Sequence, residues 1–345
     1  MIGNLNGVDM ASRDQANRIL LPQKISQAEA KVQALRATFK MNPSEYYRHD
    51  RVPKSKVAVN SELEWEEKRL ADLKAIRSTL EENEEDRQSD PSIPRRGLVY
   101  MDDSKKDDRV KVAISTGDVD RAKHVSTILP GMNNVPSEDI NDHVKNAELV
   151  HKHAADNAHI SQDQVATIAW MYDTPQGGQV VSSKYATKAS HEIGSALEGM
   201  HAFRHTNGIE RAHTSLLGHS YGSTTAGKVA KLVRKGVLDD LVMYGSPGAG
   251  AHDAREYNLD HGRPYVSGIK SDDAVKGKGT LNSKFGNNPM FMPGVKHLAN
   301  NSERDRSFFI PWKMFDRHSE YLEEGTSSLE DISRVVTNVP VKGEK

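Results

Sequence analysis

Strand-like and helix-like patterns alternate along the chain from about residue 96 to residue 340. Strand-like runs lie at 125–129, 165–170, 213–217, 241–244 and 265–269, and amphipathic helical patterns at 138–155 and 186–200 lie between the first three of them. Two further runs, 98–101 and 110–114, predict an antiparallel hairpin at a sheet edge. Strands that alternate with helices in this way favour a mostly parallel sheet with helices on both faces, so the predicted fold class is α/β.

Residues 1–95 have a different pattern, which is polar, helical and poor in β-branched runs. A helix is predicted over 26–39, and a second follows a capping box formed by Ser61 and Glu64, with apolar positions on one face up to Leu80. Residues 81–90 then read as a charged linker. The helices form either a hairpin that packs on the main domain of residues 96–340 or an arm for a protein partner. The apolar stripe is short for a coiled coil, which favours packing.

A serine between two glycines is the centre of the pattern. Gly218-His219-Ser220-Tyr221-Gly222 follows a strand-like run and precedes a helical one. A nucleophilic serine on a sharp strand-to-helix turn needs small neighbours, and the following helix directs free N–H groups and its positive end towards the same point. The alternative is an ordinary strand-to-helix turn. The complete strand, turn and helix favour a nucleophile at Ser220.

An earlier loop can supply the second half of an oxyanion hole. The strand at 125–129 ends in Pro130-Gly131-Met132, and in a sheet of this type the loop after the third strand lends a backbone N–H to the oxyanion. Gly131 is small enough for a close approach of the chains. We therefore predict an oxyanion hole at Gly131, Met132 and Tyr221, against the alternative of a plain Pro-Gly turn.

The remaining triad members are sought downstream of the serine, at the carboxyl ends of strands. Asp273 follows the strand at 265–269, and His318 lies just before the last helical pattern. A neutral imidazole would take the proton of Ser220, and the carboxylate would hold that imidazole in the right tautomer. His297 is the competing histidine, and Asp272 is the competing acid.

Residues 277–315 are poor in regular pattern and rich in large apolar side chains. Such a segment before a histidine is typical of a lid or an acyl-binding wall, and closing of the core is an equally weighted alternative. The substrate-binding residues predicted on the first interpretation are Phe291, Met292, Phe309 and Trp312.

Composition narrows the function further. The chain has 47 Lys and Arg against 48 Asp and Glu, a net charge of −1, which gives no overall field for nucleic acid. Cysteine is absent, which excludes disulfides and thiolate metal sites. His151 and His153 are two apart on a predicted helix, cannot chelate as a pair and are expected to be solvated. We expect no metal and no cofactor. The start lacks a signal-peptide pattern and no apolar run is long enough for a membrane span, so we expect a soluble protein of unassigned compartment.

The chain also resembles an actinobacterial α/β-hydrolase family of unassigned function. The resemblance spans about residues 95–336, and residues 12–18 resemble the helical lead-in of that family. It implies a hydrolase sheet and a triad of Ser220, Asp273 and His318, but no settled substrate. Two departures are Ala274, where proline is frequent in the family, and a shorter helical region in front. The stretches that carry it are 117–125, Leu129-Pro130-Gly131-Met132, 169–175, Gly218-His219-Ser220-Tyr221-Gly222-Ser223, Gly245-Ser246-Pro247-Gly248, Asp273-Ala274-Val275 and His318-Ser319-Glu320-Tyr321.

These observations predict a serine hydrolase, in the first place a carboxylic ester hydrolase of esterase or lipase-like type that works through an acyl-enzyme on Ser220. The expected substrate is a small-molecule or lipid-like ester with an apolar acyl part. An amidase or a thioesterase could use the same triad. The alternative from another class is a non-catalytic interaction or structural protein that keeps the hydrolase fold. A fluorophosphonate probe separates the classes, because only an activated serine reacts.

Overall fold

A computed structural model of the chain describes residues 2–40, 54–104, 108–260, 262–268, 284–299 and 320–343. Within this part of the chain, the strands form one sheet in the order β1-β2-β4-β3-β5-β6-β7-β8. The β1–β2 and β2–β4 pairs are antiparallel and all later pairs are parallel. The strands are β1 (Arg96–Asp102), β2 (Lys111–Thr116), β3 (His124–Leu129), β4 (Val165–Met171), β5 (His213–His219), β6 (Asp240–Tyr244), β7 (Pro264–Ser267) and β8 (Lys296–His297).

Helices cover both faces of this sheet, which confirms the predicted α/β-hydrolase fold class. The helices are α1 (Met10–Lys40), α2 (Lys54–Ser89), α3 (Pro136–Ala158), α4 (Lys184–Thr206), α5 (Tyr221–Leu232) and α6 (Ser327–Val336). Side chains on neighbouring strand positions point to opposite faces. Accordingly, Leu216 of β5 packs in the buried cluster under α4 and α5, whereas Leu217 packs in the cluster under α1, α2, α3 and α6.

The two N-terminal helices pack on this second cluster. Leu21 and Ile25 of α1 and Leu73 and Ile76 of α2 are buried there together with Leu98 of β1. Polar contacts fix the same junction, because Asn17 Nδ2 donates to Leu98 O at 3.0 Å and the Leu98 N–H donates to Asp14 Oδ1 at 2.6 Å. In the structure, α1 and α2 therefore contribute to the core that supports the sheet. A domain boundary near residue 95 stays a prediction.

Two predicted features of this region are wrong. The helix α2 begins at Lys54, so Ser61 and Glu64 lie inside it and do not cap its start. The predicted charged linker at 81–90 is helical up to Ser89, because Leu80 and Asn83 face the core while the charged side chains face outward. The Asn83 side chain also accepts the Arg96 N–H at 2.8 Å, which joins the end of α2 to the start of β1.

The predicted exposure of the histidines on α3 is also wrong in part. His151 is buried, with 1% of its surface exposed, and its ring lies against Gly117. Burial lowers the pKa of His151 to about 4, so the ring is neutral at pH 7. His143, two helical turns earlier, is buried as well, and its Nε2 lies 3.1 Å from Ile128 O. His153 is more exposed and pairs with Glu324.

No helix among the described residues combines the length and the apolar character that crossing a bilayer requires.

Candidate active site

The strand β5, the residue Ser220 and the helix α5 form a sharp elbow. Ser220 has φ 49° and ψ −124°, a backbone conformation that costs a non-glycine residue on the order of 1–3 kcal/mol and is concentrated at functional sites. The flanking glycines are needed for space. A Cβ on Gly218 would lie 2.6 Å from Gly222 O, and a Cβ on Gly222 would lie 2.5 Å from Pro130 O. The geometry is that of a nucleophile elbow at the carboxyl edge of the sheet.

The backbone of Ser220 is held on both sides, while its hydroxyl is not. The Ser220 N–H donates to Tyr244 O of β6 at 2.9 Å, and the Ser220 carbonyl accepts the Ser223 N–H at 3.0 Å. Among the described residues, no hydrogen bond is found to the Ser220 hydroxyl. The site therefore presents a hydroxyl that is left for a partner or a substrate.

Gly131 lies directly against this serine. A Cβ on Gly131 would come within 3.0 Å of Ser220 Cβ and 3.5 Å of Ser220 Oγ. Only glycine lets the loop after β3 approach Ser220 so closely. Met132 follows, partly buried against the core, and Tyr221 opens α5 on the other side of the serine. Of the three residues predicted for the oxyanion hole, Gly131 and Tyr221 are thus neighbours of Ser220, and Met132 follows Gly131 in the same loop.

The loop that carries Gly131 is fixed by bonds to the loop after β4. The Tyr172 hydroxyl donates to Pro130 O at 3.2 Å, and the Asn133 N–H donates to Pro175 O at 3.0 Å. The Thr174 hydroxyl donates to Asn134 O at 2.7 Å. Burial raises the pKa of Tyr172, which keeps its hydroxyl protonated as a donor. A preformed loop of this kind suits an oxyanion hole, because its dipoles need no reorganisation during the reaction.

Aromatic rings connect the elbow to the segment after residue 318. His219 stacks on Tyr244 with ring centroids 5.2 Å apart, and Tyr321 lies 6.1 Å from the His219 ring. Tyr321 is three residues after His318, and three residues of fully extended chain span at most about 10 Å. His318 itself lies outside the described residues. The competing His297 is in the edge strand β8, paired with Val266 of β7.

Asp272 and Asp273 also lie outside the described residues. The strand β7 ends at Ser267, beside Tyr244 of β6. The described chain therefore leaves the sheet at the same carboxyl edge as Ser220, five residues before Asp272. The assignment of Asp273 as the triad acid stays a prediction.

The predicted substrate-binding residues have different surroundings. Met292 is buried in the core cluster under α4 and α5, and Phe291 is 82% exposed. Phe285 packs edge-on against Tyr221, with ring centroids 5.9 Å apart. Phe309 and Trp312 lie outside the described residues. Within 284–299, the large apolar side chains other than Phe291 thus pack in or against the core.

A small cleft of about 150 Å³ opens beside the elbow. Its lining is polar and apolar in equal parts and comes from the ends of β3, β5 and β6, from the loop after β3, from α3 and from Leu322. The lining residues are Ile128, Pro130, Asn134, Asp139, Asp142, His143, Asn146, His219, Tyr244 and Leu322. Burial and the nearby Glu138 and Asp142 raise the pKa of Asp139, although its bond from the Val135 N–H opposes this.

Sequence reasoning missed a buried pair of hydroxyls below the elbow. Ser223 and Ser246 have 0% and 1% of their surface exposed, and their Oγ atoms lie 2.6 Å apart. Both residues stand in stretches that the sequence singled out, but the contact between them required the fold. Across the described residues, no group of three or more His, Asp or Glu side chains is arranged to hold a metal ion.

Comparison with known proteins also indicates an alpha/beta hydrolase. A family model for alpha/beta hydrolases matches residues 105–283. The protein Rv0963c of Mycobacterium tuberculosis is 30% identical over 241 residues, which cover 68% of this chain and 84% of the relative. The protein Rv2079 of the same organism is 34% identical over 184 residues, which cover 50% of this chain and 26% of the relative.

Among solved structures, a dienelactone hydrolase from Anabaena variabilis covers 71% of this chain and 96% of its own, with 12% identity and a TM-score of 0.37. XC6422 from Xanthomonas campestris, an α/β serine hydrolase without a lid, covers 65% and 91%, with 14% identity and a TM-score of 0.34. Similarity at this level says nothing about the activity of the chain. The family model and the relative Rv0963c are sufficient to establish the family. The chain belongs to the alpha/beta-hydrolase family.

Proposed function

We propose that the protein is a serine hydrolase that cleaves carboxylic esters through an acyl-enzyme on Ser220. The observation that carries this proposal is the elbow. Ser220 has a strained backbone, a hydroxyl with no hydrogen bond among the described residues, and Gly131 packed against it. A structural serine would gain nothing from positive φ and would use its hydroxyl in a bond. Strain of this kind persists where the surrounding structure holds it for function.

The reaction follows from the roles of the residues. Ser220 Oγ attacks the ester carbonyl carbon while the His318 imidazole accepts the hydroxyl proton, and Asp273 orients that imidazole. The oxyanion forms between the N–H groups of Tyr221 and Met132. When the tetrahedral intermediate collapses, the C–O bond to the alcohol breaks and the alcohol leaves with the proton from His318. Water then attacks the acyl-enzyme by the same steps, which release the carboxylic acid and restore Ser220.

The choice of His318 over His297 is supported by the rings around the elbow. Tyr321 packs near both His219 and Tyr244, with centroid distances of 6.1 Å and 5.7 Å. The described chain at Tyr321 therefore lies beside His219, the residue before Ser220. His297 lies on β8, two strands away from β6 in the sheet.

The cleft beside His219 supports a small-molecule ester as the substrate. Its volume of about 150 Å³ suits a small substituent, and its lining of Asn134, Asn146 and His219 suits a polar one. The apolar side chains at 284–299 are mostly committed to the core. A preference for long acyl chains would therefore depend on residues 300–315.

Replacement of the nucleophile tests this proposal. Ser220→Ala should reduce the turnover of p-nitrophenyl acetate and butyrate on the order of 10⁶-fold, to the small residual rate that binding and the oxyanion hole sustain, with an unchanged thermal melt. Ser195→Ala, on the exposed side of α4, is the matched serine control and should keep the parent rate. Parent-level turnover by Ser220→Ala would exclude the mechanism.

A further inference from the structure

The orientation of one peptide group decides whether the oxyanion donor points at the substrate. The carbonyl of Ser220 and the N–H of Tyr221 belong to the same peptide. No cis peptide bond occurs in the described residues, so the carbonyl and the N–H of this peptide lie in one plane and point in opposite directions within it. Whatever fixes the Ser220 carbonyl therefore aims the Tyr221 N–H.

Ser223 fixes this carbonyl twice. Its backbone N–H donates to Ser220 O at 3.0 Å, and its hydroxyl lies 2.6 Å from the same oxygen. A serine in the first turn of a helix often bonds back to the carbonyl three residues earlier, so this contact alone does not indicate a special role for Ser223. The difference here is that the carbonyl belongs to the peptide that carries the oxyanion donor.

A second hydroxyl fixes the direction of the first. Ser246, in the loop after β6, accepts the Gly248 N–H at 3.2 Å and lies 2.6 Å from Ser223 Oγ. The single hydrogen of the Ser223 hydroxyl has three acceptors within reach, which are Ser220 O and Ser246 Oγ at 2.6 Å and Gly248 O at 3.3 Å. Ser220 O is the nearer of the two carbonyls, and when Ser223 donates to it, the Ser246 hydroxyl donates to Ser223. Both side chains are fully buried, so water does not compete for these bonds. Bonds in such a chain polarise one another, which strengthens the last one.

We propose that Ser223, supported by Ser246, is a positioning residue that aims the Tyr221 N–H at the oxyanion. The inference rests on the proposed function and adds a role that the triad and the oxyanion loop do not contain. Ser223 touches neither the substrate nor the reacting atoms. It acts on the reaction only by fixing the orientation of the peptide group between Ser220 and Tyr221. The hydroxyl pair also links this plane to the Gly245-Ser246-Pro247-Gly248 loop, which gives that stretch a function.

The test is kinetic. Ser223→Ala should lower kcat for p-nitrophenyl butyrate about tenfold, because one buried hydrogen bond that acts in the transition state is worth about that factor. KM should stay within about twofold, since ground-state binding does not use this donor. The affinity for a trifluoromethyl ketone, which forms an oxyanion on the enzyme, should fall about tenfold in parallel.

Matched variants separate positioning from stability. Thr224→Val removes the neighbouring buried hydroxyl, which donates to Gly248 O at 2.8 Å, and should keep kcat at the parent value even if the melt is lowered. Ser223→Thr keeps a hydroxyl and should restore most of kcat. Ser246→Ala should lower kcat a few-fold, which tests the pair if Ser223→Ala does not fold.

The outcomes distinguish this proposal from the function on which it rests. A parent protein that neither hydrolyses the ester nor reacts with a fluorophosphonate would overturn the proposed function and this proposal with it. An active parent with equal kcat in folded Ser223→Ala and Thr224→Val would overturn the positioning role alone. So would a Ser223→Ala loss that appears entirely in KM.

Discussion

The two ends of strand β5 differ in how their polar groups are used. At its start, His213 bonds through Nε2 to Asp240 Oδ2 at 2.8 Å, and the neighbouring Asp239 accepts both the Thr214 N–H and Arg211. Past its end, Ser220 has a strained backbone and a hydroxyl without a hydrogen bond in the described residues. The amino end has more charge, and all of that charge is compensated. At the carboxyl end, the Ser220 hydroxyl has no hydrogen bond among the described residues, and we expect the chemistry there.

This difference explains why histidines alone are a poor guide to the site in this chain. His143, His151 and His213 are all buried or nearly so, and two of them have a bonded partner, Ile128 O for His143 and Asp240 for His213. The ring nitrogens of His151 have no hydrogen bond among the described residues, and its ring lies against Gly117. His143 and His151 lie neutral in the core behind α3, since burial lowers the pKa of each to about 4. Strain and an unused hydroxyl identify the reactive end of the strand better than a titratable ring does.

After replacement of the proposed nucleophile itself, the largest effect at the carboxyl end is expected for the proposed triad acid. Asp273→Asn should misorient the imidazole and lower turnover on the order of 10⁴-fold, whereas Asp272→Asn should matter several-fold at most. Both variants are to be assayed at one pH with p-nitrophenyl butyrate. A larger loss in Asp272→Asn would exchange the two roles, and two small losses would mean that the acid lies elsewhere.

The next effect concerns the close approach of the oxyanion loop. Gly131→Ala places a Cβ about 3.0 Å from Ser220 Cβ, so the loop must shift away from the nucleophile. Loss of one oxyanion donor should lower kcat on the order of 10²- to 10³-fold. Gly178→Ala is the control, because its Cβ would meet nothing within 4 Å and activity should not change. A Gly131→Ala enzyme of parent activity would remove this loop from the oxyanion hole.

At the amino end, the effect should be on stability and not on activity. Burial alone would lower the pKa of His213, but the hydrogen bond and charge of Asp240 raise it above its ordinary value. The folded state therefore binds the proton more tightly, and the added stability is present below about pH 6.5 and is lost as the pH rises through the folded pKa.

His213→Gln should consequently lower the free energy of unfolding by about 1–3 kcal/mol at pH 5.5, the range for a hydrogen bond to a charged group, and by less at pH 8.5. Urea unfolding at both pH values measures the difference. His205→Gln, at an exposed position of α4, is the control. A deficit that grows with pH would contradict the assignment of the His213–Asp240 pair.

The smallest effect is expected at Phe291. Its side chain is 82% exposed, so Phe291→Ala should change the melting temperature by less than about 2 °C. It should also leave the dependence of kcat/KM on acyl length, measured from acetate to octanoate, unchanged. A profile that becomes flat in this variant would restore the acyl-wall interpretation at this position.

Much of the fold could be predicted, because β3 to β6 are buried on both faces and consist largely of apolar residues, with small polar ones such as Ser126 and Ser215 between them. The strand β8 has two residues and leaves no pattern. The start of α1 lies well before the predicted one, although it has a local cap, because Asp9 Oδ1 accepts the Ser12 N–H at 2.7 Å. Asp120 accepts the Met10 N–H at 2.8 Å across 110 positions of sequence. Pro22 lies inside the same helix, which begins well before the predicted residue 26.

The candidate site could likewise be predicted only where its signals are local in the sequence. Ser220 and Gly131 could be predicted because the glycine spacing and the Pro-Gly turn are local signals. The Ser223–Ser246 contact joins residues 23 positions apart through the end of β6, so it depends on the packing of the elbow and could not be read from either stretch. The burial of His151 depends likewise on how α3 meets Gly117.

The central claim is that Ser220 is an activated nucleophile, and covalent labelling tests it most directly. The parent protein, treated with a fluorophosphonate and digested, should carry one modification per chain at Ser220, and Ser220→Ala should carry none. The labelling rate should fall as the pH drops below the pKa of the histidine that accepts the serine proton. An unlabelled parent, or a label on another serine, would contradict the account.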